Sequence, residues 1–478
     1  MRLIAFFSRL IDTKSSEMKV AMFNAHHTGH VNPTIELVKL FVKRGIEVHY
    51  FLPYSLKEKI ESIGATYHNY GSDDWSMKDA ACQQTIKFGL EPSSEQLNGI
   101  LPLITDPATV SVLPYILSQL KTIQPNFCVS DSCLPWGFIA CQILNIPIVS
   151  SCSSSLIDVN ERAKTFGHRN QIPFIKKSVE WLKETYNIDY DSNKSMCNYS
   201  DFTIVWSVPQ IFPEIGQSPN IHAFGTSMGL DDVDTGDRGI DKDKDNELYD
   251  TIQCIRVGSG DAGRPQSVVV YVSMGSVIGT EPVVPSPVGY FRELFEALKP
   301  ENIYQLQTAG GLAPCVVHVV LIVGPLCDFG ELSQEAPSNF ILRKWVDQKR
   351  LLPLVDIFFS HCGMNSFTES LFAACPILGT PAFGDQMVNA AKAQELSCGL
   401  ALPPASVYSR DTCFDHLSST AIATAMRELC CQYLTYKASC QAISAALRER
   451  LDFLHSGRAV DEILAWVEGQ RAGKATLI

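Results

Sequence analysis

The chain has 478 residues, a formal net charge of −12, and 46% hydrophobic and 19% charged residues. That length accommodates two or three domains with cores of their own, and an acidic balance with no basic stripe excludes a nucleic-acid or anionic-membrane surface. The 16 cysteines are scattered, without CxxC pairs or His-Cys clusters at metal spacing, which predicts small buried thiols in a reducing, cytoplasmic compartment.

In chain order, residues 1–18 (MRLIAFFSRLIDTKSSEM) are expected to be a disordered leader, because the apolar stretch lacks a small-residue cleavage site and Asp12 interrupts it. From Lys19 the rhythm becomes regular. KVAMFNA predicts a strand, HHTGH a tight turn, and VNPTIELVKLFVKRG a helix with Pro33 near its first turn and Gly45 after its end. IEVHYFLP is the next strand, so a parallel sheet with helices on its faces is predicted. FCVSDSCLPWGFIACQILNIPIVSS repeats the pattern and places Asp131 at a strand end, where such sheets bind ligands. Residues 19–227 are read as one domain. Residues 228–266, rich in Asp, Gly and Lys, predict a solvated linker. SVVVYVSMGS then restarts the alternation, followed by a helix near YFRELFEALK and a strand VVHVVLIVG, giving a second domain over 267–445. Residues 446–478, with the helical stretch RAVDEILAWVEG, are expected to pack back on the first domain. The segment 301–315, ENIYQLQTAGGLAPC, is an insert without a functional reading. No apolar run reaches the ~20 residues of a membrane span, and a monomer is expected.

The densest chemistry lies between Trp345 and Gln386. VDIFFSH predicts a buried strand ending at His361; Gly363 lets the backbone turn; MNSFTESLFAAC carries Phe367, Leu371 and Ala374 at helical spacing until Pro376 stops it. A strand feeding a helix through a glycine turn leaves N–H groups and a positive dipole end at the sheet's carboxyl edge, which suits an anion. Asn365 and Ser366 add donors in the first turn, His361 adds an imidazole, and Glu369 is placed to accept from two vicinal hydroxyls. Taken alone, Asn and Ser at that place are more often simple caps.

The segment HCGMNSFTESLFAACPILGTPAFGDQ resembles the signature of the UDP-sugar-dependent glycosyltransferases, the family of plant secondary-metabolite enzymes, animal glucuronosyltransferases and bacterial macrolide glycosyltransferases. The resemblance implies an α/β, GT-B fold: two Rossmann-like parallel-sheet domains facing each other across a cleft. It also implies roles. Trp345 would stack on uracil, Gln348 would sit beside the base, and Glu369 would hold the ribose. His361, Gly363, Asn365 and Ser366 would receive the diphosphate, and Asp385 and Gln386 the sugar hydroxyls. Ser276, in SMGS, would touch the diphosphate or the sugar. Departures from the family pattern are Met364 where plant members carry Trp and Asp347 where Pro is usual. The spacing from Trp345 to His361 resembles the macrolide branch, whereas the GDQ ending is plant-like.

Inverting glycosyl transfer needs a base for the acceptor hydroxyl and donors for the departing diphosphate. An imidazole, with its ordinary pKa near ~6.5, suits the first task. His30, in HTGHVNP, is the candidate, and Asp131 is placed to hold its other ring nitrogen, as in hydrolase triads. The GHVNP element and the Asp after FCVS resemble the macrolide- and plant-type transferases, where the matching residues form a dyad. A histidine at such a turn is by itself more often a capping residue; the second-domain signature turns the reading to catalysis. His26 and His27 are expected to shape the turn or the acceptor pocket. The expected partners are a UDP-sugar, glucose first on Asp385 and Gln386, and a small lipophilic acceptor bound near segments such as 73–100 and 151–175. No metal or other cofactor is expected, since helix-terminus N–H groups and His361 would neutralise the diphosphate. Two other readings stay open: a non-catalytic UDP-sugar-binding protein, and a related nucleotide-sugar enzyme such as an epimerase or a lipid-linked sugar transferase.

Overall fold

The computed structural model describes residues 18–25, 27–90, 101–156, 169–194, 197–226, 242–257, 267–275, 287–302, 316–324, 327–382, 384–402 and 417–475. Ser276, His26, residues 1–17, residues 303–315 of the 301–315 insert, and parts of the expected acceptor segments (91–100 and 157–168) lie outside them. The chain divides into two compact units, Met1–Ser227 with Arg450–Ile478, and Met228–Glu449.

The first unit is built on seven strands: β1 (Lys19–Phe23), β2 (Glu47–Phe51), β3 (Thr66–His68), β4 (Phe127–Asp131), β5 (Ile148–Cys152), β6 (Thr203–Val205) and β7 (Ile221–Ala223). They are parallel, in the order β3-β2-β1-β4-β5-β6-β7. The order reverses between β1 and β4, so a topological switch point lies there. β1 reads as an apolar run because both of its faces are covered. Val20 and Met22 enter one core, with Leu37, Val38 and Phe41 of helix α1 (Ile35–Lys43); Ala21 and Phe23 enter another, with Trp136. Each of these large side chains contributes about 1.5–3 kcal/mol by leaving water. The helix expected from Val31 is interrupted: Pro33 lies in a 3₁₀ turn, Asn32–Thr34, and α1 begins after it. The helix Arg458–Ala475 places Ala459, Val460, Ile463 and Val467 in the same core as α1.

The second unit has six parallel strands: β8 (Ser267–Ser273), β9 (Val316–Ile322), β10 (Phe340–Arg343), β11 (Ile357–Ser360), β12 (Ile377–Gly379) and β13 (Gly399–Ala401), ordered β10-β9-β8-β11-β12-β13. Its switch point lies between β8 and β11. Val268, Val270 and Val272 face one core, and Val269 and Tyr271 face the other. That second core corrects one expectation. Residues 242–257, read as part of a solvated linker, form helix α2 (Lys242–Val257), and Leu248, Tyr249 and Ile252 are buried against Val269 and Tyr271. The Asp- and Lys-rich composition of the window masked an apolar stripe one turn long. The rest of the expected linker, 228–241 and 258–266, lies outside the described residues. Among the described residues no helix is long and apolar enough to cross a membrane.

Candidate functional site

Both switch points carry candidate residues. In the first unit, the chain leaves β1 and winds into one helical turn, Thr28–Val31, that holds His30. The buried Asn24 anchors this turn by donating from Nδ2 to the His30 carbonyl at 2.9 Å and to the Tyr50 hydroxyl at 2.9 Å. Asp131 is the last residue of β4, the neighbour of β1. His30 Nδ1 lies 2.7 Å from Asp131 Oδ2, and the two side chains are 19% and 1% exposed. The other carboxylate oxygen accepts from the Cys133 N–H at 2.7 Å. Burial pushes the Asp131 carboxyl up, but the His30 imidazole and the Cys133 N–H outweigh it and hold it below the usual carboxylate range. The Nδ1–H is therefore donated to a carboxylate, which leaves the lone pair on Nε2. His27 packs beside this ring, with centroids 6.1 Å apart.

Among the described residues, His30, Asp131 and Cys133 could together offer three metal ligands. Burial and the Asp131 charge push the Cys133 thiol well above its ordinary range. The 2.7 Å His30–Asp131 separation is that of a charge-assisted hydrogen bond.

In the second unit, β11 ends at Ser360 and His361 follows, while Gly275 follows the end of β8. The imidazole is held between two glycines. A Cβ on Gly275 or on Gly363 would lie 2.5 Å from Nε2 of His361. Gly363 has an ordinary backbone conformation, φ −58°. The left-handed residue of the turn is Cys362, φ 60°, held by Ser360 Oγ on its N–H at 3.0 Å and by Asn389 Nδ2 on its carbonyl at 2.9 Å. The expectation that Gly363 makes the turn is corrected: its lack of a side chain makes room for the ring. Gly363 is also the N-cap of helix α4 (Met364–Phe372), whose first turn has no side-chain cap. Asn365 and Ser366 lie inside that turn and do not cap it. An uncapped helix start beside an imidazole has the free N–H groups and the positive dipole end that suit an anion.

Burial lowers the His361 pKa to about 4, with the Ser273 carbonyl acting the other way, and its Nδ1 is buried without a hydrogen-bond partner among the described residues. A depressed histidine pKa stabilises the fold above its unfolded value, ~6.5, and that stability is lost as pH falls towards about 4. Urea unfolding at pH 7 and pH 4.5 is expected to show a loss about 2 kcal/mol smaller in His361→Gln than in the wild type; equal losses would contradict the burial account.

Trp345 follows β10, half-buried, at the same carboxyl edge. Asp347 starts the short helix α3 (Gln348–Leu351) by accepting from the N–H groups of Lys349 and Arg350, so a carboxylate cap stands where the family carries Pro, worth about 1 kcal/mol. Gln348 donates from Nε2 to Glu369 Oε2 at 2.6 Å and to Ser366 Oγ at 3.2 Å. Its Oε1 accepts from the Tyr271 hydroxyl at 3.1 Å. Burial raises the Glu369 pKa; Lys349 and the Gln348 amide oppose it, and Asp347 adds to it. Asp385 precedes helix α5 (Gln386–Glu395), and its Oδ2 accepts from Asn389 Nδ2 at 3.3 Å. The buried Gln386 accepts from the Ala382 N–H through Oε1 at 2.8 Å. All the described donor-site candidates therefore lie at one sheet edge. Tyr271 and Asn389, which orient them, were not singled out from the sequence. Tyr271 is hidden in an apolar strand, and Asn389 in a polar helix.

Residues 330–446 match the family model for "UDP-glucoronosyl and UDP-glucosyl transferase". This stretch of the chain is a UDP-glycosyltransferase domain. Similarity extends well beyond it. The uncharacterized UDP-glucosyltransferase YdhE of Bacillus subtilis (strain 168) is 24% identical over 462 residues, 93% of this chain and 98% of the relative. The oleandomycin glycosyltransferase of Streptomyces antibioticus is 24% identical, covering 86% of this chain and 84% of the relative. The solved glycosyltransferase of kitacinnamycin has a TM-score of 0.65 at 18% identity, covering 93% of this chain and 98% of its own. The calicheamicin glycosyltransferase CalG4 has a TM-score of 0.63 at 19% identity, with 94% and 98% covered. The fold shared with these structures is GT-B, and the enzyme class is glycosyltransferase.

Proposed function

We propose that this UDP-glycosyltransferase is an inverting, metal-independent hexosyltransferase that moves glucose from UDP-glucose to a hydroxyl of a small lipophilic acceptor. The observation that carries the reading is that each unit carries its own part of the chemistry at its own switch point: a carboxylate-held imidazole in one unit and an uncapped helix start beside His361 in the other. His30 Nε2 takes the acceptor proton as the acceptor oxygen attacks the anomeric carbon from the face opposite the diphosphate. The bond from the anomeric carbon to the diphosphate oxygen breaks, and the configuration inverts. Asp131 stabilises the imidazolium, and the N-terminus of α4 takes the charge of the leaving UDP. Trp345 stacks on uracil with Gln348 beside it, Glu369 takes the ribose hydroxyls, and Asp385 and Gln386 take the sugar. Gly363, Asn365, Ser366 and Ser276 complete the phosphate and sugar contacts. The scattered cysteines, without CxxC pairs, support work in a reducing cytosol.

The test is incubation with UDP-glucose and other UDP-sugars against a panel of phenols, terpenoids and macrolides, read by mass. A hexose adduct with stoichiometric UDP release is expected, fastest with UDP-glucose. Protein that binds UDP-glucose calorimetrically yet yields no adduct with any acceptor would sink the enzymatic reading in favour of a binding protein.

A further inference from the structure

The His30–Asp131 pair has a third member. Ser153 directly follows β5, the strand beside β4, and is buried. Its hydroxyl donates to Asp131 Oδ2 at 3.1 Å, and its oxygen lies 2.8 Å from His30 Nδ1. The three polar atoms form a closed triangle, with His30 Nδ1 and Asp131 Oδ2 2.7 Å apart.

Proton bookkeeping fixes the roles. Nδ1–H points at the carboxylate, the shorter and charged contact, so it cannot also receive the serine proton. The serine O–H therefore goes to Asp131, and its lone pair faces Nδ1–H. Were the imidazole protonated on Nε2 alone, Nδ1 would be a bare acceptor beside a carboxylate. Both neighbours thus favour the tautomer that keeps Nε2 basic. We propose that Ser153 is a positioning residue of the base dyad, holding His30 in its Nδ1–H tautomer and sharing the charge of Asp131. This rests on the transferase reading above, in which His30 is the base.

The other titratable groups around the triangle are His27 in the turn beside His30, Tyr50 on β2, Tyr70 beyond β3, Cys133 beyond β4, Cys152 on β5, and Cys197. Removing the serine hydroxyl takes one donor from Asp131, leaving a more concentrated negative charge beside the ring, which favours the imidazolium.

The experiment compares wild type, Ser153→Ala and Ser153→Thr in kcat and kcat/KM from pH 5 to pH 9, alongside NMR titration of His30. Ser153→Ala is expected to lower kcat by about three- to tenfold without changing KM for UDP-glucose. The acid limb and the His30 titration should move up by about half a pH unit, and Ser153→Thr should restore both. A fall in kcat with an unmoved limb and an unmoved titration would make Ser153 merely structural and overturn the proposal, as would wild-type behaviour throughout. The NMR titration reads the same point if Ser153→Ala is inactive. A wild type without transferase activity would instead fail the underlying reading, which separates the two.

Discussion

His30→Ala is expected to lower kcat for an alcohol acceptor by about 10²- to 10⁴-fold, while calorimetric affinity for UDP-glucose stays unchanged. The size follows from what the imidazole supplies. An alcohol is far too weak an acid to ionise near neutral pH, so its oxygen becomes a nucleophile only as its proton moves to a base in the transition state. The affinity follows from placement, since the donor-site candidates described above belong to the second unit. Acceptor acidity sharpens the expectation. An acidic phenol, already largely ionised at pH 8, needs little help, so its loss in His30→Ala should shrink to about tenfold or less. Asp131→Asn should follow the alanine variant, because an amide cannot stabilise the imidazolium and can donate to Nδ1, reversing the tautomer. Full turnover in His30→Ala, or an equal loss for both acceptors, would remove His30 from the base role.

Much of this arrangement was legible in the chain. The apolar runs of β1, β4, β8 and β11 announced covered parallel strands, and the turns after them announced where ligands could sit, because carboxyl edges are the only ends of a parallel sheet where loops converge on a switch point. Strand order was not legible. His30 and Asp131 are 101 residues apart, and only the pairing of β1 with β4 brings them within 2.7 Å. Ser153 was hidden for the same reason: the run SSCSSS offers several hydroxyls, and register alone selects the one that meets Asp131. Helix α2 was missed because composition averaged over the window outweighed three apolar residues on one stripe. Gly363 was assigned the right place for the wrong reason, since sequence shows that a side chain is absent but not which neighbour needs the room.

Gly275→Ala and Gly363→Ala should each weaken UDP binding by more than tenfold, by calorimetry. The His361 ring has a glycine on either side, and a Cβ at either position would lie 2.5 Å from Nε2, well inside contact distance. The ring cannot retreat from one glycine without meeting the other, so it must rotate out of its slot and drag the start of α4 with it. The two variants differ in one respect. Gly275 has φ +76°, which costs an alanine about 1–2 kcal/mol, whereas Gly363, at φ −58°, adds no backbone strain. Gly275→Ala should therefore lose about 1–2 kcal/mol more stability than Gly363→Ala, while their losses of UDP affinity stay comparable. If both variants bound UDP as the wild type does, the glycine-flanked imidazole would not be part of the phosphate site. If only Gly275→Ala lost binding, backbone strain rather than ring displacement would be the cause.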